Sequence, residues 1–130
     1  MEIIIDTSAI LAVLLNEPSR PKIVSITQNS VLGAPGSVKW EIANALTALF
    51  KRNRISIEEG HAVMKSFLSI PAREYQVDFE TTLDVGNKYN IYAYDAFFIT
   101  ICKTTGFPLL TLDKKLKQIA EMENIKLVEI

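Results

Sequence analysis

The chain has one cysteine and one histidine in 130 residues, and each scarcity excludes a chemistry. A single cysteine makes no disulfide within the chain, which fits a reducing cytosol. Cys102 sits in the apolar run Phe97, Phe98, Ile99, Ile101 and reads as a small buried hydrophobe. The lone histidine, His61, has no partner motif, which argues against histidine acid–base catalysis and against a zinc site. It reads as a surface position on a helix. There is no GxGxxG and no GxxxxGK[ST], so nucleotide binding of those kinds has no support. No apolar run approaches the roughly 20 residues of a membrane span. The N-terminus shows no basic region followed by a long apolar stretch, so no signal peptide is expected and the expected location is the cytoplasm. Nor is there an excess of one charge. Fourteen basic and fifteen acidic residues leave a net charge of −1. That excludes holding nucleic acid through bulk positive charge. It does not exclude a nucleic-acid enzyme whose acidic site is neutralised by bound cations.

What remains is an ordinary soluble composition, 48% hydrophobic and 22% charged. It predicts one globular domain over residues 1–130. Apolar strands alternate with helices. Strands are expected at Ile3–Ile5, Val31–Ala34, Glu74–Val77 (as an edge), Leu109–Leu112 and Ile125–Val128. Helices are expected over Ala9–Leu15, Arg20–Gln28, Val38–Lys51, a stretch opened by the capping box Ser56-Ile57-Glu58-Glu59, Phe79–Tyr89, Ala96–Thr104 and Lys114–Glu121. The Phe79 helix should turn Phe79, Leu83 and Gly86 inward, and the one after Ser56 should show Val63, Met64, Phe67 and Leu68 on one face. Ala96–Thr104 is apolar on nearly every side and should be deeply buried. The fold class is α/β, a three-layer α/β/α sandwich around a mostly parallel sheet.

In such sheets function collects at the C-terminal ends of strands. Asp6 ends the first strand in MEIIIDTSA, and Asp113 ends a late one in PLLTLDKK. Glu41 and Asp95 fall near helix starts, in SVKWEIANAL and YAYDAFFIT. Each acid alone reads as a helix cap or a first-turn charge. Glu41 fits that account least well, because Trp40 and not Glu41 stands three residues after Ser37. Asp95 precedes the most apolar helix, where an unneeded charge is costly to desolvate. Four carboxylates gathered without a counter-charge would repel, and a hard divalent cation removes the problem. Two such ions, about 4 Å apart, would stabilise the attacking and leaving oxygens of a phosphodiester displacement. Thr7, Ser8, Asn44 and Thr111 are candidate supports for ligands or waters; for each, local capping is an equal alternative. Lys114, Lys115 and Lys117 follow the last acid, and Lys51, Arg52 and Arg54 cluster at a helix end. These read first as solvated charge, with phosphate contact at Lys114 and Lys115 as the functional alternative.

The set Asp6-Thr7-Ser8, Glu41 with Asn44 and Leu46, Tyr94-Asp95-Ala96, and Leu110-Thr111-Leu112-Asp113 resembles the PIN-domain ribonucleases, and among them the VapC-type toxins of toxin–antitoxin pairs. The resemblance spans the chain from first strand to last. It implies a parallel sheet with helices on both sides and Mg²⁺- or Mn²⁺-dependent endonuclease action on RNA. It further implies that Asp6, Glu41, Asp95 and Asp113 are the catalytic, metal-binding acids, with Thr111 and Asn44 matching the family's polar companions. Family members are usually homodimers silenced by a small antitoxin protein. Thr100-Ile101-Cys102 departs from the small alanines of many members. Other classes remain open: a non-catalytic binding module of PIN architecture, or a phosphotransfer receiver-like domain, which would need an acceptor Asp that Ser30–Gly36 does not supply.

Overall fold

Strand β1 (Glu2–Ile5) owes its position to three consecutive isoleucines. Ile3 and Ile4 are completely buried and Ile5 nearly so. An apolar side chain on both faces of a strand is stable only in the middle of a covered sheet, and each buried isoleucine contributes about 1.5–3 kcal/mol. The computed structural model describes residues 1–130. From β1 the chain runs through α1 (Thr7–Leu14) and α2 (Arg20–Thr27) to β2 (Val31–Pro35). It continues through α3 (Val38–Lys51) and α4 (Ile57–Leu68) to β3 (Ala72–Tyr75). It then returns through α5 (Phe79–Tyr89) and α6 (Ala93–Thr105) to β4 (Leu109–Leu110) and ends with α7 (Lys114–Met122).

The sheet order is β3-β2-β1-β4, and every pairing is parallel. Two crossovers step from β1 to β3 in one direction, and one returns past them to β4. With right-handed crossovers, opposite directions put α1–α4 on one face and α5–α6 on the other. Strand order reverses beside β1, between it and β4, which is where a doubly wound sheet opens a crevice at its C-terminal edge.

Local chemistry sets the boundaries. The Ser56 box forms in both directions: Ser56 Oγ accepts from the Glu59 amide, and Glu59 accepts from the Ser56 amide, each at 3.1 Å. Gly106, at φ +78°, stops α6. Asn16, Asn53, Asn90 and Asn124 take the left-handed conformation just beyond helices, the role short polar side chains tolerate best. As expected, α6 is sunk in the core, with Ala96, Phe98, Ile99, Ile101 and Cys102 at most 2% exposed. Its buried Thr100 is satisfied by the Thr82 hydroxyl at 2.9 Å.

Several expectations need correcting. The edge strand starts at Ala72, directly after Pro71, rather than at Glu74. Strand β4 is only two residues long, because Thr111 turns away to bond the site described below. Ile125–Val128 is no strand but a single parallel bridge, Leu109 to Leu127. On α5 the buried residues are Thr82 and Val85, while Phe79 and Leu83 stand 66% and 69% exposed. The helix is rotated so that Thr82 meets Thr100. Leu68 likewise ends α4 facing solvent.

Candidate active site

Asp6 is placed by the last ladder bond of β1: its amide donates to Leu110 O at 3.1 Å. The chain then turns into α1, and Asp6 caps it, Oδ1 accepting from the Ala9 amide at 3.1 Å. A cap alone leaves the carboxylate mostly satisfied by backbone. Here Oδ1 also accepts from Ser8 Oγ at 2.7 Å, and Oδ2 accepts from Thr111 Oγ1 at 2.6 Å. Thr111 is 1% exposed and Asp6 5%. The two hydroxyls also receive the chain leaving β4. Ser8 Oγ accepts from the Leu112 amide and Thr111 Oγ1 from the Asp113 amide, both at 3.0 Å. The turns after β1 and β4 are thus stitched together, and Asp113 is delivered beside Asp6 as the cap of α7, its Oδ1 accepting from the Leu116 amide at 3.0 Å.

Glu41 lies in the first turn of α3. Its Oε1 accepts from Thr7 Oγ1 at 3.1 Å and its Oε2 from Ser37 Oγ at 3.0 Å. Ser37 makes no capping bond with its side chain, so the pair serves the carboxylate and not the helix. Asp95 is in the first turn of α6. All four acids therefore stand at the positive ends of helices, α1, α3, α6 and α7, which favours negative charge there.

Electrostatics ties the four together. Burial pushes Asp6 above the usual aspartate range; bonds from Thr111 and Ser8 offset part of this, and the charge of Asp113 adds to it. Glu41 is pushed up to about 7, chiefly by burial, against the bonds from Ser37 and Thr7 and with added repulsion from Asp95 and Asp6. Asp95 is also raised, by desolvation and then by Asp113, with Lys115 acting the other way. Asp95 is exposed by surface area, yet neighbouring groups withhold part of its hydration. Asp6 and Asp95 each feel the charge of Asp113, and Glu41 feels both Asp95 and Asp6.

The expected ligand set is brought to one edge but not closed into a cage. No three Asp, Glu, His or Cys side chains approach closely enough to hold a single ion. Like charges hold apart, and Asp6 and Glu41 satisfy their oxygens with hydroxyls. The chemistry of the donor set still fits a hard divalent cation, being all oxygen and formally fourfold negative.

Of the supports, Thr7, Ser8 and Thr111 bond the acids as described. Asn44 is exposed and bonds none of them; it lines a cleft with Thr7, Trp40, Glu41 and Tyr94. Lys115 acts electrostatically on Asp95, and Lys114 beside it is exposed. Three residues escaped the sequence reading. Ser37 is four residues before Glu41, one helical turn, and that spacing was the available signal. Trp40 and Tyr94 each precede an acid, and both wall the cleft that contains Glu41.

The PIN domain model matches residues 3–122. The chain belongs to the PIN domain family. It is 27% identical over 123 residues to Ribonuclease VapC9 of Mycobacterium tuberculosis, covering 93% of each chain. It is 24% identical to Ribonuclease VapC3 of Pyrobaculum aerophilum, covering 91% of this chain and 94% of that one. Among solved structures, PAE2754 from P. aerophilum superposes with a TM-score of 0.71 at 20% identity, over 92% of this chain and 79% of that one. VapBC2 from Rickettsia felis, bound to a DNA fragment from their promoter, gives 0.70 at 14%, over 98% of both. These two likenesses carry the PIN fold.

Proposed function

We propose that this PIN domain is a metal-dependent endoribonuclease, the toxin of a type II toxin–antitoxin pair. One observation carries the reading: Asp6, Glu41, Asp95 and Asp113 meet at the C-terminal sheet edge within one another's field, with no cationic side chain bonded to any of them. Asp6, Asp95 and Asp113 would hold Mg²⁺ or Mn²⁺, which supplies Lewis-acid stabilisation to a phosphodiester. Ser8 and Thr111 lock the Asp6 rotamer. Thr7 and Ser37 aim Glu41, which holds or orients the attacking water or completes the ligand set. Lys115, and Lys114 beside it, take the substrate phosphates. The relatives named as VapC ribonucleases support RNA as the substrate, and the likeness to VapBC2 supports a small antitoxin partner; a homodimer in the cytoplasm completes the proposal.

The test is a thermal-shift titration with Mn²⁺ on the wild type and Asp95→Asn, run beside RNA cleavage by the wild type and Asp6→Asn. Binding of the cation raises the melting temperature of the wild type in proportion to occupancy, and much less in Asp95→Asn. Cleavage disappears in Asp6→Asn. An Asp6→Asn protein that cuts RNA at the wild-type rate rejects the assignment. A non-catalytic PIN module takes support from the open arrangement of the carboxylates, and it is the outcome if Mn²⁺ binds without RNA being cut.

A further inference from the structure

Beside the acids lies an aromatic cleft that the catalytic reading does not use. Trp40, Phe79, Tyr94 and Phe97 line a cavity of about 630 Å³, together with Lys39 and Gln76. Trp40, Phe79 and Tyr94 are 65%, 66% and 55% exposed. Phe97 anchors two of them, Phe79 and Tyr94. It packs edge-on against Phe79 at 6.2 Å and against Tyr94 at 6.0 Å between ring centroids. Rings fixed in this way keep an open face at little cost in side-chain freedom. Trp40 and Tyr94 also wall the smaller cleft that contains Glu41 and Thr7. They are the shared partition between the acids and the aromatic cavity.

We propose that this cleft is a stacking subsite for an unpaired nucleotide adjoining the phosphodiester that is cut. The proposal rests on the ribonuclease reading and names the form of RNA it takes, a single-stranded segment. A base in a duplex is stacked on its neighbours and offers no free face, whereas an unpaired base stacks on aromatic side chains whatever its sequence. Three features select RNA over a second copy of the chain as the occupant. The cavity shares the Trp40 and Tyr94 walls with the cleft that contains Glu41, so a nucleotide whose phosphate lies beside Glu41 has the rings next to it. Its aromatic walls alternate with Lys39, Gln76, Ser37 and Glu74, groups suited to the edge of a base, where the buried centre of a protein interface is depleted of charge. Lys39 pairs with Glu74 at 3.3 Å and lies 5.4 Å from the Trp40 ring centroid, so a donor and an acceptor for a base edge stand beside the ring that neighbours Glu41 in the chain.

Trp40 is the only tryptophan, so its fluorescence reports this cleft and the Glu41 cleft it borders, and the Tyr94 variants below separate stacking from binding beside Glu41. The experiment titrates Asp6→Asn protein, which keeps a capping side chain at α1, with a short mixed-sequence RNA, as a single strand and as a duplex. Saturable quenching by the single strand and at least tenfold weaker binding of the duplex are expected. Adding Tyr94→Ala weakens single-strand binding about 5- to 150-fold, the range for loss of one stacked base, and Tyr94→Phe restores it. Fluorescence that stays flat while anisotropy of labelled RNA shows binding overturns the proposal, as does equal quenching by the duplex. So does a Trp40→Ala protein that drops from dimer to monomer in sedimentation, since the rings would then be a protein interface. Wild-type protein that shows the quenching but never cuts RNA defeats the nuclease reading and leaves the subsite standing; cleavage without quenching does the reverse.

Discussion

Helices α6 and α7 run side by side, and their two ends treat carboxylates in opposite ways. At the N-terminal ends, Asp95 and Asp113 join Asp6 and Glu41, and the shifts that are resolved there all go upward. At the C-terminal ends, Glu123 closes α7 and receives Lys103 at 2.7 Å, Lys88 at 3.0 Å and the Tyr89 hydroxyl. Those bonds, Lys103 first, take Glu123 down to about 2. A carboxylate at a helix C-terminus opposes the dipole, so the chain surrounds it with donors and makes it a tie between α5, α6 and α7. Carboxylates at these helix N-termini have favourable dipoles, and Asp6 and Glu41 have hydroxyl partners, but none has a bonded cation from the protein. The difference separates structural charge, whose partner is built in, from charge kept for a partner that arrives from outside.

The largest effect that sharpens this contrast is on catalysis. Asp6→Asn or Asp113→Asn should lower RNA cleavage by about 10²–10³-fold, the scale for losing one group that stabilises transition-state charge. Both keep a capping residue, so melting temperature should barely move. Glu123→Gln should cleave normally. If the Glu123 variant loses activity as the Asp6 variant does, the two ends are not functionally distinct.

The second effect is pH-dependent stability of the metal-free protein. Glu41 is raised in the fold from its ordinary 4.5 to about 7. The folded state therefore holds its proton more tightly, and this contribution is intact below pH 4.5 and lost as pH rises through about 7. Glu123 has the reverse sign: its contribution is intact above pH 4.5 and lost as pH falls toward 2. Melting curves without metal should therefore weaken on both sides of about pH 4.5–5. Glu41→Gln should shrink the alkaline limb, to which the raised Asp6 and Asp95 also contribute, and Glu123→Gln should shrink the acid limb. Mn²⁺ should restore the alkaline limb of the wild type. A limb of undiminished size in its own variant removes that group as a cause.

These two clusters were not equally legible in the sequence. Asp6, Glu41, Asp95 and Asp113 announced themselves because each sits where a strand ends or a helix begins, and parallel topology carries those points to one edge. The caps at Ser56 and Gly106 were readable because they are local, as was the burial of α6. Glu123 gave no signal, since its partners Lys88 and Lys103 lie 35 and 20 residues away. The outward faces of Phe79 and Leu83 were misread for the same reason. Helical periodicity fixes which residues share a face, but Thr82 meeting Thr100 decides which face turns in. The strand expected at Ile125–Val128 failed because it has one neighbour and makes one bridge, too few contacts for local propensity to settle. The allegiance of Ser37 depended on a choice between its own helix amides and the carboxylate of Glu41, which only the assembled site resolves.

At the structural end, the third effect is moderate. Glu123→Ala leaves Lys88, Lys103 and Tyr89 without their acceptor, and should destabilise by about 1–2 kcal/mol, between an exposed ion pair and a well-bonded charge. That corresponds to a fall of roughly 3–10 °C in melting temperature, with RNA cleavage unchanged at temperatures where the variant is folded. A fall that vanishes in high salt would mean simple surface screening; one that survives marks the three-way tie between helices.

The smallest effect tests the one basic residue whose charge is felt at the acidic end. Lys115 lowers Asp95 against the repulsion of Asp113, so it lies near the path of a substrate phosphate. A lysine that neutralises one phosphate adds about one unit to the slope of log affinity against log salt. Lys115→Ala should therefore reduce that slope by about 1 and weaken RNA binding uniformly across sequences, without altering which strands quench Trp40. Lys114→Ala should do less. Equal slopes for the wild type and both variants would assign these lysines to the solvated face of α7.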